Sequence, residues 1–411
     1  MADQAIAAPA SGDVRKAGIA QAIILVISGF LPILAIVSLT PAVPTILDHF
    51  KDVANASLLV PVLVSAPGLA IAILAPFAGM LVDRFGRRRL LVWSTFFYGI
   101  AGSLPYFLDS LHAVIASRLL LGVTEAAILT IVNTLIADYY DAKGRRRVLM
   151  IQGLAGPAMA SGVIALSGLL TTLSWNGMFL IYLIALPIFM GMHFMIFEPG
   201  KTVSGAPAAK PADEGPALPF PTRAVALYGV VTLFASTLYY VFIIQGGLAF
   251  REVGVDNPAR VGSLIALASL GVPVGALIFG WIGKRTLSLQ IFCFFAFLGV
   301  GLAGIGLAPD YKSMMVVLVI QQMGAGMTIP ILIAWAQSKL PFAHRGRGMG
   351  IWASCFFLGQ FTSPFFVAGA KSVTGGTVQA AFLTMGIAAL IGAAIALLVL
   401  AKGKADTGIR Y

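Results

Sequence analysis

The sequence predicts an all-α integral membrane protein, with twelve transmembrane helices in two pseudo-symmetric bundles of six. Three observations predict it: too few charges for a soluble particle, apolar runs long enough to cross a bilayer, and one polar break dividing those runs six and six. The chain has 411 residues, 59% of them hydrophobic, and a mean hydropathy of +0.95. Its 27 Lys and Arg and 16 Asp and Glu make only 10% of residues charged, where a soluble domain carries about 25%. The missing polar surface has to be replaced by lipid.

A hydrocarbon core of roughly 30 Å takes about 20 helical residues to cross. Apolar runs of that length lie near 18–44, 57–80, 90–108, 112–139, 147–171 and 176–197. They resume near 223–250, 260–283, 287–308, 312–338, 346–370 and 378–401. Pro32, Pro157, Pro273 and Pro330 fall inside them. Membrane helices tolerate this because their neighbours re-satisfy the freed backbone groups. Residues 198–222, rich in Pro, Gly, Ala and charge, predict a flexible cytoplasmic linker between bundles at 17–197 and 223–402. Residues 1–16 and 403–411 are expected to be cytoplasmic tails. The first reads as disordered and lacks the basic start and cleavage site of a signal peptide.

Charge placement sets the orientation. Arg87, Arg88, Arg89, Arg145, Arg146, Arg147, Lys284, Arg285, Arg345 and Arg347 fall in connections on the N-terminal side of the bilayer. The opposite side holds Lys51, Arg251, Arg260, Lys312 and Lys371. The positive-inside rule then puts both termini in the cytoplasm, and a bacterial plasma membrane is the expected location. The net charge of +11 is spread over these short loops and forms no stripe, so nucleic acid is not an expected partner. Cys293 and Cys355 sit in apolar runs without metal-ligand spacing, so no metal or cofactor is expected. The four histidines are scattered near helix ends, which argues against an enzyme in the membrane. No Gly-rich nucleotide loop with a Lys is present, which argues against direct ATP coupling.

The connection after the second run reads Gly79-Met-Leu-Val-Asp83-Arg84-Phe-Gly86-Arg87-Arg88-Arg89. It resembles, at every defining position, the signature loop of the major facilitator superfamily, G-x-L-x-D-R-x-G-R-[KR]. Physically, Gly79 permits close helix approach and Gly86 a tight turn, while Asp83 suits the N-terminus of a facing helix. The resemblance implies two halves rocking about a central cavity by alternating access, with a small-molecule substrate and a monomer as the working unit. It also implies a cytoplasmic latch for the outward-facing state, in which Asp83 and Arg87 engage Asp138 while Gly79, Arg84 and Gly86 shape the loop. The connection between the eighth and ninth helices keeps only Gly280, Lys284 and Arg285 of this pattern.

The fourth run contains Arg118-Leu-Leu-Leu-Gly122-Val-Thr-Glu125-Ala-Ala. Arg118 and Glu125 are the clearest ionisable residues away from helix ends. Seven residues is close to two helical turns, so the pair shares a face, and each charge would be costly in lipid. Burial and Arg118 pull on the proton affinity of Glu125 in opposite senses. An Arg followed four residues later by Gly resembles a second superfamily motif, which implies proton coupling through Glu125, tuned by Arg118. A static ion pair holding the bundle together is the alternative.

Phe30, Asn133, Tyr239, Phe242, Gln245, Gln321, Thr328 and Gln360 are polar or aromatic residues inside apolar helices, and are the candidates to line the substrate cavity. Together they describe an apolar, aromatic and amide-lined space with little charge in the second half. A phosphate, dicarboxylate or nitrate carrier would need buried Arg or Lys there. Leu31-Pro32…Thr40-Pro41-Ala42-Val43-Pro44, Gly153…Gly156-Pro157 and Arg345-Gly346…Gly359-Gln360…Ser363-Pro364 resemble the drug:proton antiporter branch. The Gly-Pro pair is followed by Ala158-Met159-Ala160-Ser161-Gly162, so the antiporter motif is partial. The expectation is a proton-coupled exporter of a hydrophobic or amphiphilic compound. The Arg…Gly…Glu-Ala run also resembles Spinster-like lipid exporters and anion:cation symporters, which imply lysolipid export or organic-anion uptake. A non-transporting membrane sensor is the reading from another class.

Overall fold

The computed structural model describes residues 17–199, 219–341 and 344–401. Among them are twelve helices long and apolar enough to cross a membrane. The first six are α1 (Ile19–Val37), α2 (Ala56–Phe77), α3 (Arg87–Phe107), α4 (Leu111–Tyr139), α5 (Lys143–Leu173) and α6 (Gly177–Met195). The second six are α7 (Thr222–Glu252), α8 (Pro258–Ile282), α9 (Leu287–Leu307), α10 (Tyr311–Ser338), α11 (Arg345–Val373) and α12 (Val378–Val399). The described residues form no strand. The predicted tails, and residues 200–218 of the predicted linker, lie outside the described residues.

The helices depart from regularity at prolines and at their ends. Ala75–Phe77, with Pro76, tightens into a 3-10 turn that closes α2, and Leu104–Phe107, with Pro105, does the same for α3. The opening of α6, Gly177–Ile184, is also 3-10. In α8 the helix is interrupted between Pro258–Ala268 and Gly271–Ile282, two residues ahead of Pro273. A proline removes a backbone donor and crowds the preceding turn, so these places cost the helix least when it narrows or breaks.

Between apolar helices in lipid there is no hydrophobic gain to drive association, so contact depends on close backbone approach and interhelical hydrogen bonds. Gly122 shows the first. An added Cβ there would sit 2.4 Å from the Pro67 carbonyl oxygen, so α4 lies directly on the backbone of α2. Gly168 repeats it across the halves, where a Cβ would meet the Pro258 carbonyl at 2.4 Å and pry α5 from α8. Within the second half, α9 packs between α10 and α12, and α7 lies along α11.

The halves are joined most firmly at the face away from the arginine-rich connections, here called the far face. There Thr40 Oγ1 donates to the Ile243 carbonyl (2.6 Å), and Arg251 of α7 pairs with Asp48 of the short helix Val43–His49 at 2.8 Å. The start of α8 rests on the far-face end of α5 at Gly168 and Gly262. Toward the basic face, the second stretch of α8 packs mainly on α10. Gly153 and Gly156 of α5 have open space beside them. Helices α2 and α11 alone stay together along their length, from Gly68 against Gln360 to Pro76 beside Gly350. The halves therefore meet at the far face, while toward the basic face α5 and α8 diverge and α2 and α11 stay in contact.

Candidate functional site

Arg118 is completely buried on α4. Gly102 on α3 has no side chain, and Tyr182 of α6 lies against it so closely that a Cβ would come within 2.3 Å of the ring. That closeness brings α3 carbonyls and α6 rings to the same point. Arg118 Nη2 donates to the Gly102 carbonyl at 2.7 Å and to that of Ala101 at 3.4 Å. Its guanidinium carbon lies 5.0 Å from the Phe179 ring centre and 4.8 Å from that of Tyr182. Such contacts are worth roughly 2 kcal/mol each once water is excluded, and they hold a charge that lipid would reject. Tyr98 and Tyr182 are anchored in turn, their hydroxyls donating to the Leu31 (2.5 Å) and Ala35 (2.8 Å) carbonyls of α1.

Glu125 lies on the same face of α4 and is only 2% exposed. Seven residues of helix rise about 10 Å, and no ion pair joins it to Arg118 among the described residues. The static ion pair weighed from sequence is not formed. Arg118 Nε and Nη1 and Glu125 Oε1 are buried with no hydrogen-bond partner. This buried carboxyl on α4 therefore keeps an acceptor oxygen open to a new partner.

The candidate cavity residues divide by position. Tyr239 stands beside Tyr240 and Phe356, with ring centres at 4.9 and 6.0 Å. Gln360 reaches across the seam to Gly68 of α2. Gln245 lines a recess at the far face. Phe30 is buried in α1, and the Asn133 amide, on an exposed position, donates to its own helix at Leu129 (2.9 Å). The other three lie within the second half. Phe242 packs edge-on against Phe382 of α12, Gln321 backs onto Gly301 of α9, and Thr328 bonds back to Gly324, which abuts Leu298 of α9. Those residues face neighbouring helices of their own bundle because α9 and α12 cover that side of α7 and α10. Tyr98, Phe179, Tyr182 and Tyr240 were not among the candidates. A tyrosine at membrane depth was the available signal for three of them, since its hydroxyl demands a partner.

At the basic face, Arg87 Nη1 pairs with Asp138 Oδ2. Gly86 takes a φ of +79°, a conformation that favours glycine, and turns the chain into α3. Glu198, beyond α6, accepts from the backbone amides of Arg87 (2.9 Å) and Arg88 (2.8 Å) and so caps α3. Arg88 answers by donating to the Ile196 and His193 carbonyls at the end of α6 (2.6 and 2.7 Å). Arg84 is exposed, with its guanidinium over Phe85. Gly79 lies in the short helix Ala78–Phe85 that follows α2, and the Asp83 side chain is outside what the structure describes. Among the described residues no cluster of three or more His, Cys, Asp or Glu could hold a metal ion.

Comparison with known proteins agrees with this architecture. The sequence profile described as Major Facilitator Superfamily matches residues 25–254 and 251–408. The multidrug efflux pump LfrA of Mycolicibacterium smegmatis is 32% identical over 153 residues, which are 36% of this chain and 29% of that one. The efflux pump dotC of Dothistroma septosporum is 28% identical over 261 residues, 63% of this chain and 41% of its own length. The matched segments thus span less than half of these relatives. The inward-open structure of the xylose transporter XylE from E. coli superposes with a TM-score of 0.72 at 15% identity, covering 95% of this chain and 98% of that one.

Replacing Glu198 with Ala removes both acceptors from the start of α3. The expected cost is about 1 kcal/mol, read as a lower melting temperature of the purified protein with membrane insertion intact. An unchanged melting temperature would contradict the capping role.

Proposed function

Because the chain belongs to the Major Facilitator Superfamily, we propose that it is a proton-coupled exporter of hydrophobic or amphiphilic small molecules, working by alternating access. The observation that carries the proposal is Glu125, buried on α4 with an oxygen that has no hydrogen-bond partner. A carboxylate at membrane depth needs a donor or a cation beside it, or it must be protonated. Arg118 is held by the Gly102 carbonyl and two rings, so it cannot swing freely to Glu125. Motion of the halves therefore changes what offsets the Glu125 charge, and the proton follows. The named efflux function of the relatives supports export, and the apolar and aromatic surroundings of Tyr239, Tyr240 and Phe356 support an apolar cargo.

In this reading both termini are cytoplasmic, the basic face is the inner face of a bacterial plasma membrane, and the monomer is inward-facing. The Arg87–Asp138 pair of the expected latch lies within the first half, and in this reading the network of Asp83, Arg87 and Asp138 breaks and reforms as the halves rock. Asp83→Asn is then expected to cut transport while leaving insertion intact; full transport would sink the latch.

The coupling test uses proteoliposomes and a panel of hydrophobic fluorescent dyes. The wild-type protein is expected to drive dye uphill when a pH gradient is imposed. Glu125→Gln should lose that response while still equilibrating dye down its own gradient. Dye movement by the Gln variant that still follows the pH gradient excludes Glu125 as the coupling group.

A further inference from the structure

Two polar groups on neighbouring helices of the second half are buried without a hydrogen-bond partner, Trp352 Nε1 of α11 and Thr232 Oγ1 of α7. The two residues are 7% and 0% exposed. The α7–α11 contact places them at one level. Tyr228 Oη donates to the Gly348 carbonyl (2.9 Å), and two turns further on Ser236 Oγ donates to that of Phe356. Thr232 is midway between Tyr228 and Ser236, and Trp352 is midway between Gly348 and Phe356. The unpaired groups thus fall together between those two bonds.

Trp352 also faces the seam between the halves. On α11, Phe357 and Gln360 touch Gly68 of α2, Cys355 and Gly359 touch Gly229 and Ser236 of α7, and Leu358 and Phe365 are exposed. At about 100° per residue, Trp352 and Phe356 point between the α2 and α7 contacts and away from the exposed pair. Their rings stack at 5.3 Å and 16°. Tyr240 and Tyr239 of α7 extend the row, with ring centres 5.6 and 6.0 Å from Phe356.

An indole N–H can only donate, and burying it without an acceptor forfeits a hydrogen bond. The Thr232 hydroxyl offers a second donor at the same level. No Lys, Arg, Asp or Glu lies between Arg223 and Arg251 of α7 or between Arg347 and Lys371 of α11, so the row suits an uncharged partner. We infer that it is a cargo subsite for a neutral, flat aromatic molecule carrying an acceptor oxygen, as in an aromatic ketone or quinone. The oxygen accepts from Trp352 Nε1 and the Thr232 hydroxyl, and the rings pack along Phe356 and Tyr240. A hydrocarbon of the same shape leaves both donors unpaired, and a site built around a hydrogen bond rejects the analogue that cannot make it. The subsite rests on the reading that an apolar cargo enters between the halves, and is independent of proton coupling.

Fluorenone and fluorene, alike in their three fused rings and differing in the ketone oxygen, are the probes. Each is titrated at one pH against the full-length protein in lipid nanodiscs, with empty nanodiscs subtracted. Fluorenone is expected to bind the wild type about tenfold more tightly, or about 1.4 kcal/mol, with its carbonyl stretch moved to lower frequency in the infrared difference spectrum. Trp352→Phe keeps a ring in the row and should remove both the preference and the shift while fluorene binds as before. Thr232→Val, nearly the same in shape, should reduce the preference severalfold, and Phe356→Leu should weaken both probes. Melting curves check that each variant is folded. No saturable fluorenone binding, or equal binding of the two probes as a resident water on the donors would give, overturns the assignment. A Trp352→Phe protein that keeps the preference overturns it too. No pH gradient is imposed, so failure here leaves the dye-coupling test of Glu125 untouched, and failure there leaves this one.

Discussion

A full charge in hydrocarbon needs partners that stay in place, and the first half gathers carbonyls and rings around Arg118 although its Nε and Nη1 remain unpaired. The guanidinium takes two backbone carbonyls of α3 and two aromatic faces of α6. Supplying them forces α3, α4 and α6 together at Gly102 and fixes Tyr98 and Tyr182 against α1. Glu125 is left on the same helix face without an equivalent set of partners. Arg118 is thus held through Nη2 and two rings while its Nε and Nη1 stay unpaired, and in the proposed reading Glu125 is the charge that responds. That division is what a coupled transporter requires, because a proton site must be unequally satisfied in its two conformations.

Six other acids show by contrast why Glu125 stands apart. Asp141 caps α5, Glu198 caps α3, Glu252 caps α12 and Asp310 caps α10. Asp138 pairs with Arg87, and Asp48 pairs with Arg251. These groups sit at helix ends, where a carboxylate gains from the exposed amides and remains near water. They hold helix ends, while small residues such as Gly122, under Pro67 of α2, and Gly168, at the far-face seam, join helices by close backbone approach. At the far face both kinds of contact join the halves, through Arg251 with Asp48 and Gly168 with Pro258.

Much of this was legible in the sequence, for identifiable reasons. Spans are set by lipid thickness, so twelve apolar runs translated directly into α1–α12. Arg118 and Glu125 stood out because charge is costly at that depth, and Arg87 and Asp138 because of the loop motif. The partners of Arg118 were not legible. Gly102 signals that some helix comes close without saying that it is α6, and Phe179 looks like any apolar residue of its run. Phe242, Gln321 and Thr328 looked like cavity residues because periodicity gives a shared face but not which neighbour covers it. Glu198 was hidden by its setting, since it begins a stretch whose Pro and Gly content read as linker while its carboxylate closes the start of α3.

The central claim is that protonation of Glu125 decides which face is open. Spin labels at the exposed far-face positions Asp52 and Lys312, one in each half, report the separation of the halves by pulsed electron resonance in nanodiscs. The account predicts that the distance distribution of the wild type shifts between two populations as pH is varied, and that the Glu125→Gln protein holds one distribution throughout. A Glu125→Gln protein that shifts with pH as the wild type does, or a wild type that does not shift at all, would contradict it.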